Sequence, residues 1–392
     1  MTVISHPICL TWEHRVLFTR NVFATGNPLL ADLLAPPNEG APARVFFVID
    51  SGLLKRDPAL IDQIHEYVAA HTNALVLAGE PMTIPGGESC KNNWSLVEKL
   101  WEEISTRGLD RHAYLAAIGG GAILDLVGFA SATAHRGLRH IRFPTTTLSQ
   151  GDGGVGVKNG VNYFGKKNWI GNFQVPFAVV NDFAFLQYLC PRDRRAGLIE
   201  GIKVSLIRDR AFYERIEQLA PALARLETSA VEEMIERSAG QHLEHIATSG
   251  DPFELGSARP LDFGHWAAHK LEQVSGFRVT HGEAVAIGIA LDLRYSVRAG
   301  LLDAATVERI LTLIEGIGFA TYDAALVSPG PSGRPVLLEG LEEFREHLGG
   351  RLTITLVPEI GKKLEVHEMN QEWILAALND LQMRAVSRSY TI

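Results

Sequence analysis

Residues 114–134 read YLAAIGGGAILDLVGFASATA: a short apolar run, three glycines, then a stretch of helix-compatible composition. An apolar run of this length suits a strand buried on both faces. Gly119, Gly120 and Gly121 supply a turn in which backbone can approach a ligand closely, and Ala122 to Ala134 follows as a helix. Strand, glycine turn and helix form the repeating unit of a doubly wound α/β sheet. The preceding sequence fits the same unit. Arg44 to Asp50 (RVFFVID) is an apolar run ending in a carboxylate, Ala74 to Ala78 (ALVLA) is the next strand, and Trp94 to Arg107 carries apolar residues at helical spacing.

The character changes near Arg192. Residues 195–248, 264–276, 281–299 and 303–317 carry helical periodicity, 328–334 is a Pro- and Gly-rich loop, and Leu352 to Val357 (LTITLV) is a late strand. The expected architecture is a doubly wound α/β domain over residues 1–190, followed by an all-α or mainly α-helical domain over 191–392. With 392 residues, two domains are the natural expectation.

Composition narrows the function classes. Hydrophobic residues make up 46% and charged residues 21%, as in ordinary globular proteins. No apolar run reaches the roughly 18–20 residues that span a bilayer, and the N-terminal MTVISHPICLTWEH has no signal-peptide pattern, so a cytoplasmic protein without membrane contact is expected. A net charge of −8 argues against a general nucleic-acid binder. Cys9, Cys90 and Cys190 are odd in number and far apart, which disfavours both a disulfide framework and a thiolate metal cluster.

Several stretches carry more polar and glycine residues than a core needs. The turn Gly119-Gly120-Gly121 followed by Asp125 is not the G-x-G-x-x-G fingerprint, and on its residues alone it is as well a tight turn as a nucleotide cradle. Asp50 suits a ribose hydroxyl or a turn cap. Pro85 to Lys91 (PGGESCK) is a flexible loop with a carboxylate and an ammonium. Residues 136–174 bring Arg136, Asp152, Lys158, Lys167 and Asn168 among glycines, a composition for a small polyanion or for a surface hairpin turning at Asn159-Gly160. Finally, His265 and His269 stand four apart, on one face of a helix, with His281 nearby. The glutamate of a zinc-protease helix is absent, since Trp266 follows His265.

The order of motifs GGGAILDLVGFASATAHRG, RFPTTTLSQGDGGVGVKNGVN, GKKNWIGNF, AGLIEGIK, LDFGHWAAH and HGEAVAIG resembles 3-dehydroquinate synthase and the wider sugar phosphate cyclases, over residues 44–290. The resemblance implies an N-terminal NAD-binding domain, a helical C-terminal domain and an active site with a divalent metal between them. It implies metal ligands Glu200, His265 and His281, whose two imidazoles and one carboxylate suit Zn2+ or Co2+. It places NAD at Asp50, Glu88, Lys91, Gly120, Gly121, Asp125, Thr145, Thr146 and Lys167. Substrate or catalytic roles fall to Lys158, Lys203, Asn168, Asp152, His269, Asp262 and Arg136, the last reaching across a homodimer interface. The family reaction oxidises a substrate carbinol at NAD+, eliminates phosphate, returns the hydride and closes a carbocycle by aldol addition, so NAD is recycled.

The pattern departs where substrate is held. The family's LNFGHTFGH is here LDFGHWAAH, so Asp262 replaces an amide with a carboxylate, which repels an anionic group. The family arginine falls at Ala258 with Arg259 one position off, the upstream lysine corresponds to His242, and the C-terminal lysine pair falls near Arg345-Glu346. These changes imply a phosphorylated sugar without a carboxylate, of the sedoheptulose 7-phosphate type, although His269 is kept where those cyclases lose it. The competing readings are a genuine 3-dehydroquinate synthase, a metal-dependent polyol dehydrogenase of the glycerol dehydrogenase class, and a non-catalytic scaffold.

Overall fold

A computed structural model of the chain describes residues 3–36, 40–249, 253, 261–330, 333–347 and 350–389. The positions Ala258 and Arg259 lie outside the described residues. The chain divides into two compact units, Met1–Thr145 with Gly154–Tyr188, and Thr146–Gly153 with Leu189–Ile392. The short segment 146–153, counted with the first half on sequence, thus belongs to the second unit.

The first unit contains strands β1 (Val16–Thr19), β2 (Ala43–Asp50), β3 (Leu75–Leu77), β4 (Met82–Ile84), β5 (Tyr114–Gly119), β6 (Arg139–Pro144), β7 (Lys158–Tyr163), β8 (Lys166–Phe173) and β9 (Ala178–Asp182). Its helices are α1 (Leu29–Leu34), α2 (Ser51–Leu54), α3 (Leu60–Ala70), α4 (Trp94–Thr106) and α5 (Gly121–Thr133). Seven strands form a parallel sheet in the order β1-β9-β6-β5-β2-β3, with β4 also pairing β2. The unbroken apolar runs of β2 and β5 follow from burial on both faces. Val45, Phe47 and Ile49 join the core that includes Tyr114, Ala116 and Ile118, whereas Phe46 and Val48 join the opposite core with Leu115 and Ala117.

From β2 the chain runs to β3 and β4 on one side and returns to β5 on the other. The strand order therefore switches between β2 and β5, at whose carboxyl ends stand Asp50 and Gly119. Ligands of open α/β sheets bind in the crevice at such a point.

The hairpin of the polar block lies elsewhere than expected. β7 and β8 pair antiparallel with Tyr163 opposite Lys166, and the turn is Phe164-Gly165, both at positive φ (50° and 70°). Asn159 and Gly160 sit inside β7 instead. Asn159 is buried and serves the strand: its Oδ1 accepts from Arg142 Nη2 at 2.8 Å and its Nδ2 donates to Asn172 Oδ1 at 3.1 Å. The wholly buried Arg142 also donates to the carbonyls of Gly154, Gly156 and Lys158, fixing the path into β7.

The second unit is helical: α6 (Pro191–Ala196), α7 (Leu198–Arg208), α8 (Arg210–Ala224), α9 (Thr228–Thr248), α10 (His265–Val274), α11 (His281–Arg298), α12 (Ala304–Ile317), α13 (Val336–His347) and α14 (Gln371–Ser389). One antiparallel pair, β10 (Ile354–Glu359) and β11 (Lys362–Val366), contains the expected late strand. The helical run expected over 195–248 is broken by backbone geometry. Asp209 leaves the helical region (φ −144°, ψ 92°) and caps α8 by accepting from Phe212 N, and Leu226 turns left-handed (φ 56°) before α9. Among the described residues no helix is long and apolar enough to cross a membrane.

Candidate functional site

The second unit brings three of the expected residues into one cluster. Glu200 lies on α7, while His265 and His281 are the first residues of α10 and α11. Each offers a ligand atom within 4.8 Å of the others. The start of α11 is fixed by a capping box, in which Glu283 Oε2 accepts from Thr280 N at 2.9 Å. α10 starts after Gly264, whose left-handed φ of 78° lets the chain turn against α11: a Cβ there would lie 2.5 Å from Ile289 N.

Both imidazoles are oriented through their second nitrogen. His281 Nδ1 lies 3.0 Å from Glu272 Oε2, and His265 Nδ1 lies 3.2 Å from the carbonyl oxygen of Phe263. In each pair the oxygen can only accept, so Nδ1 carries a proton and Nε2 is the nitrogen turned toward a metal. Burial, followed by Lys203 and the neighbouring imidazoles, holds the His265 pKa well below the usual histidine value, which keeps the ring in its ligand form. Glu200 is completely buried, and among the described residues its Oε1, 3.7 Å from His281 Nε2, has no hydrogen-bond donor. A buried carboxylate oxygen without a donor beside two imidazoles oriented through Nδ1 fits a divalent cation, and three protein ligands leave positions for substrate oxygens.

A charged network adjoins this cluster. Lys203, one turn after Glu200 and 2% exposed, places Nζ 2.5 Å from Glu200 Oε2 and 3.3 Å from Asp152 Oδ2. His242 Nδ1 lies 2.8 Å from Asp152 Oδ1. Burial alone would raise the Asp152 carboxyl, but Lys203 and then His242 more than offset it and hold it well below the ordinary carboxylate range. For Lys203 burial is likewise outweighed by Asp152 and Glu200, so its pKa is raised. Burial drives Glu200 the other way, up to about 7, with Lys203 opposing. Of the remaining candidates, the ring of the exposed His269 is centred 5.6 Å from that of His265 and 6.3 Å from that of His281. Asp262 Oδ1 accepts from the buried Thr355 hydroxyl of β10 at 2.9 Å. Thr146, expected with the nucleotide residues, lies in the second unit with its hydroxyl 2.8 Å from Ser149 Oγ.

In the first unit a second group gathers at the switch point. Asp50 caps α2, accepting from Gly52 N at 2.7 Å, and Gly86 of the PGG loop packs so closely that a Cβ would lie 2.2 Å from Asp50 Oδ2. Gly120 is the N-cap of α5, and a Cβ on Gly121 would meet nothing within 4 Å, leaving the positive end of a 13-residue helix open. Lys91 is buried, with Nζ 2.6 Å from Asp125 Oδ2 and 3.8 Å from Glu88 Oε1. Thr145 N donates to Gly119 O at 3.0 Å.

Asn168, expected among the substrate residues, lies beside this group. Its Oδ1 accepts from Lys91 Nζ, and its backbone N donates to Asn162, which in turn bonds Glu88. Arg136, Lys158 and Lys167 are exposed residues of the first unit. Sequence reasoning missed Glu272, Asn162 and the buried Asp292 below α10. Glu272 had a usable signal, because it lies on the same helix as His265 and nine residues before His281.

Comparison with known proteins bears on both units. Residues 81–196 match the 3-dehydroquinate synthase N-terminal family and residues 197–328 the 3-dehydroquinate synthase C-terminal family. The chain is 33% identical over 376 residues to 2-epi-5-epi-valiolone synthase of Streptomyces glaucescens, covering 94% of this chain and 91% of that protein. It is also 33% identical over 347 residues to 3-dehydroquinate synthase of Halorhodospira halophila, covering 86% and 94%. Among solved structures, 2-epi-5-epi-valiolone synthase of Streptomyces hygroscopicus subsp. jinggangensis, with NAD+ and Zn2+ bound, superposes with a TM-score of 0.83 at 27% identity, covering 97% of this chain and all of that one.

Proposed function

Because the chain belongs to the 3-dehydroquinate synthase family of sugar phosphate cyclases, we propose that it converts a phosphorylated sugar into a six-membered carbocycle with loss of phosphate, using NAD that is regenerated within each turnover and a divalent metal. The observation that carries this reading is the Glu200, His265 and His281 cluster, with ligand atoms within 4.8 Å and both imidazoles oriented through Nδ1. When bound there, Zn2+ or Co2+ supplies Lewis acidity toward substrate hydroxyl oxygens.

The protein's own groups take the remaining work. Lys203 keeps an ammonium beside Glu200 and Asp152, where it donates to substrate oxygens and stabilises negative charge that develops on them. Asp152 stays ionised and orients both Lys203 and His242. In the first unit, Asp50 accepts from ribose hydroxyls, the N-terminus of α5 at Gly120 and Gly121 receives the pyrophosphate, and Lys91 with Glu88, Asp125 and Asn168 fixes the loop beside it. Lys158 and Arg136 contribute positive charge for the substrate phosphate, Arg136 from the neighbouring subunit of a homodimer, and Lys167 contributes to the NAD site.

For the substrate we propose a ketose phosphate without a carboxylate, of the sedoheptulose 7-phosphate type, giving a cyclitol of the 2-epi-5-epi-valiolone type. Asp262 supports this, since its carboxylate, bonded to Thr355, disfavours an anionic substituent. The valiolone synthase match over 94% of the chain points the same way. A genuine 3-dehydroquinate synthase is the second reading, favoured by His269 and by the Halorhodospira halophila relative. Phosphate release from sedoheptulose 7-phosphate and from the phosphorylated precursor of 3-dehydroquinate, measured side by side, tests the choice. Release from the first alone supports the proposal; release from the second alone overturns it.

A further inference from the structure

We propose that Asp292 is a positioning residue for the metal ligand His265, acting through the two residues that flank that ligand. Asp292 lies on α11, eleven residues after His281, and is completely buried. Its Oδ2 accepts from Gly264 N at 3.1 Å and its Oδ1 from Trp266 Nε1 at 2.9 Å. One turn earlier on α11, a Cβ on Gly288 would lie 2.0 Å from Gly264 O, so the backbone before His265 is pressed onto the same helix face. Asp292 therefore ties the start of α10 to the helix whose first residue is the other imidazole ligand.

The hold is specific to the ligand's neighbourhood. His265 N donates to Asp262 O at 2.8 Å and His265 Nδ1 bonds Phe263 O, so residues 262–266 form one turn whose orientation sets where Nε2 points. The carboxylate fixes that turn at Gly264 and Trp266. A carboxylate in this position, with Asp262 as a further negative neighbour, is costly to bury, a cost that a neutral residue of the same shape avoids. An amide, however, offers only one acceptor, and its NH2 faces either Gly264 N–H or the indole N–H.

This inference rests on the metal assignment made above. The test is Co2+ binding by the full-length protein at pH 7.5, by chelator competition and by the visible absorption of the bound ion, for wild type, Asp292→Asn, Trp266→Phe and Ser296→Ala. Asp292→Asn is expected to bind Co2+ about 10- to 100-fold more weakly with a changed absorption envelope. Trp266→Phe loses one of the two donors and shifts both readouts the same way, by less. Ser296 Oγ donates only to the Asp292 main-chain carbonyl, at 2.7 Å and equally buried, so Ser296→Ala lowers the melting temperature while leaving Co2+ affinity and spectrum as in wild type. If Asp292→Asn does not fold, Trp266→Phe decides. Folded variants with wild-type affinity and spectrum overturn the inference alone, whereas a wild type that binds no Co2+ overturns the metal assignment and the inference with it.

Discussion

Replacing Lys203 by methionine removes the ammonium shared by the wholly buried Glu200 carboxylate and the partly buried Asp152 carboxylate. Its ammonium lies 2.5 Å from Glu200 Oε2 and 3.3 Å from Asp152 Oδ2 at 2% exposure. At an effective dielectric of about 20, unit charges at those separations attract by about 5–7 kcal/mol each, before the desolvation of all three groups is subtracted. Removing one partner of such a buried arrangement costs about 3–5 kcal/mol net, and because Asp152 keeps His242 as a partner the cost falls mainly on the wholly buried Glu200. For a unit of this size that corresponds to roughly 6–20 °C in melting temperature.

A divalent ion at Glu200, His265 and His281 would take over as counter-charge, and in the variant it no longer meets an ammonium beside its carboxylate ligand. Calorimetric melting in chelator, repeated with saturating Zn2+, should therefore show a large deficit for Lys203→Met without metal and a smaller one with it. A metal-free variant within about 1 kcal/mol of wild type, or a deficit unchanged by Zn2+, would remove Lys203 as the counter-charge of Glu200.

Glu272→Gln should weaken metal binding about 10- to 100-fold by loosening His281, with the affinity read from chelator competition; unchanged affinity removes Glu272 from the site's support. Gly86→Ala drives a methyl to 2.2 Å from Asp50 Oδ2, so Asp50 must move, and fluorescence titration should show NAD+ affinity reduced at least about tenfold with Zn2+ affinity intact. Burial raises the Asp292 carboxyl from 3.8 to about 7. An acid raised on folding binds more protons in the native state, so this group favours folding below about pH 4 and progressively loses that contribution up to about pH 7. The span is on the order of 4 kcal/mol. Urea denaturation should thus give Asp292→Asn a flatter stability profile than wild type between pH 4 and 7, and parallel profiles would contradict it.

The fold was legible where local chemistry and burial agree. Arg44 to Asp50 and Tyr114 to Gly119 read as strands because both of their faces are covered, and the glycines after Ile118 marked the turn into the next helix. Asn159-Gly160 misled because a dipeptide turn signal is local, whereas Arg142, buried seventeen residues earlier in sequence, holds Asn159 in a strand. The three metal candidates followed from motif order, and their clustering could not be read from spacing, since Glu200 and His281 lie 81 residues apart. Asp292 was illegible for a similar reason. A carboxylate inside an apolar helix reads as a solvated face until its two donors across α10 are seen.

The deciding assay gives purified protein, with NAD+ and Zn2+, sedoheptulose 7-phosphate and follows inorganic phosphate and absorbance at the reduced nicotinamide band. A sugar phosphate cyclase releases one phosphate per cyclitol formed with no net reduction of NAD+, and His281→Ala should lose that release. Accumulating NADH without phosphate, or full phosphate release by His281→Ala, would contradict it.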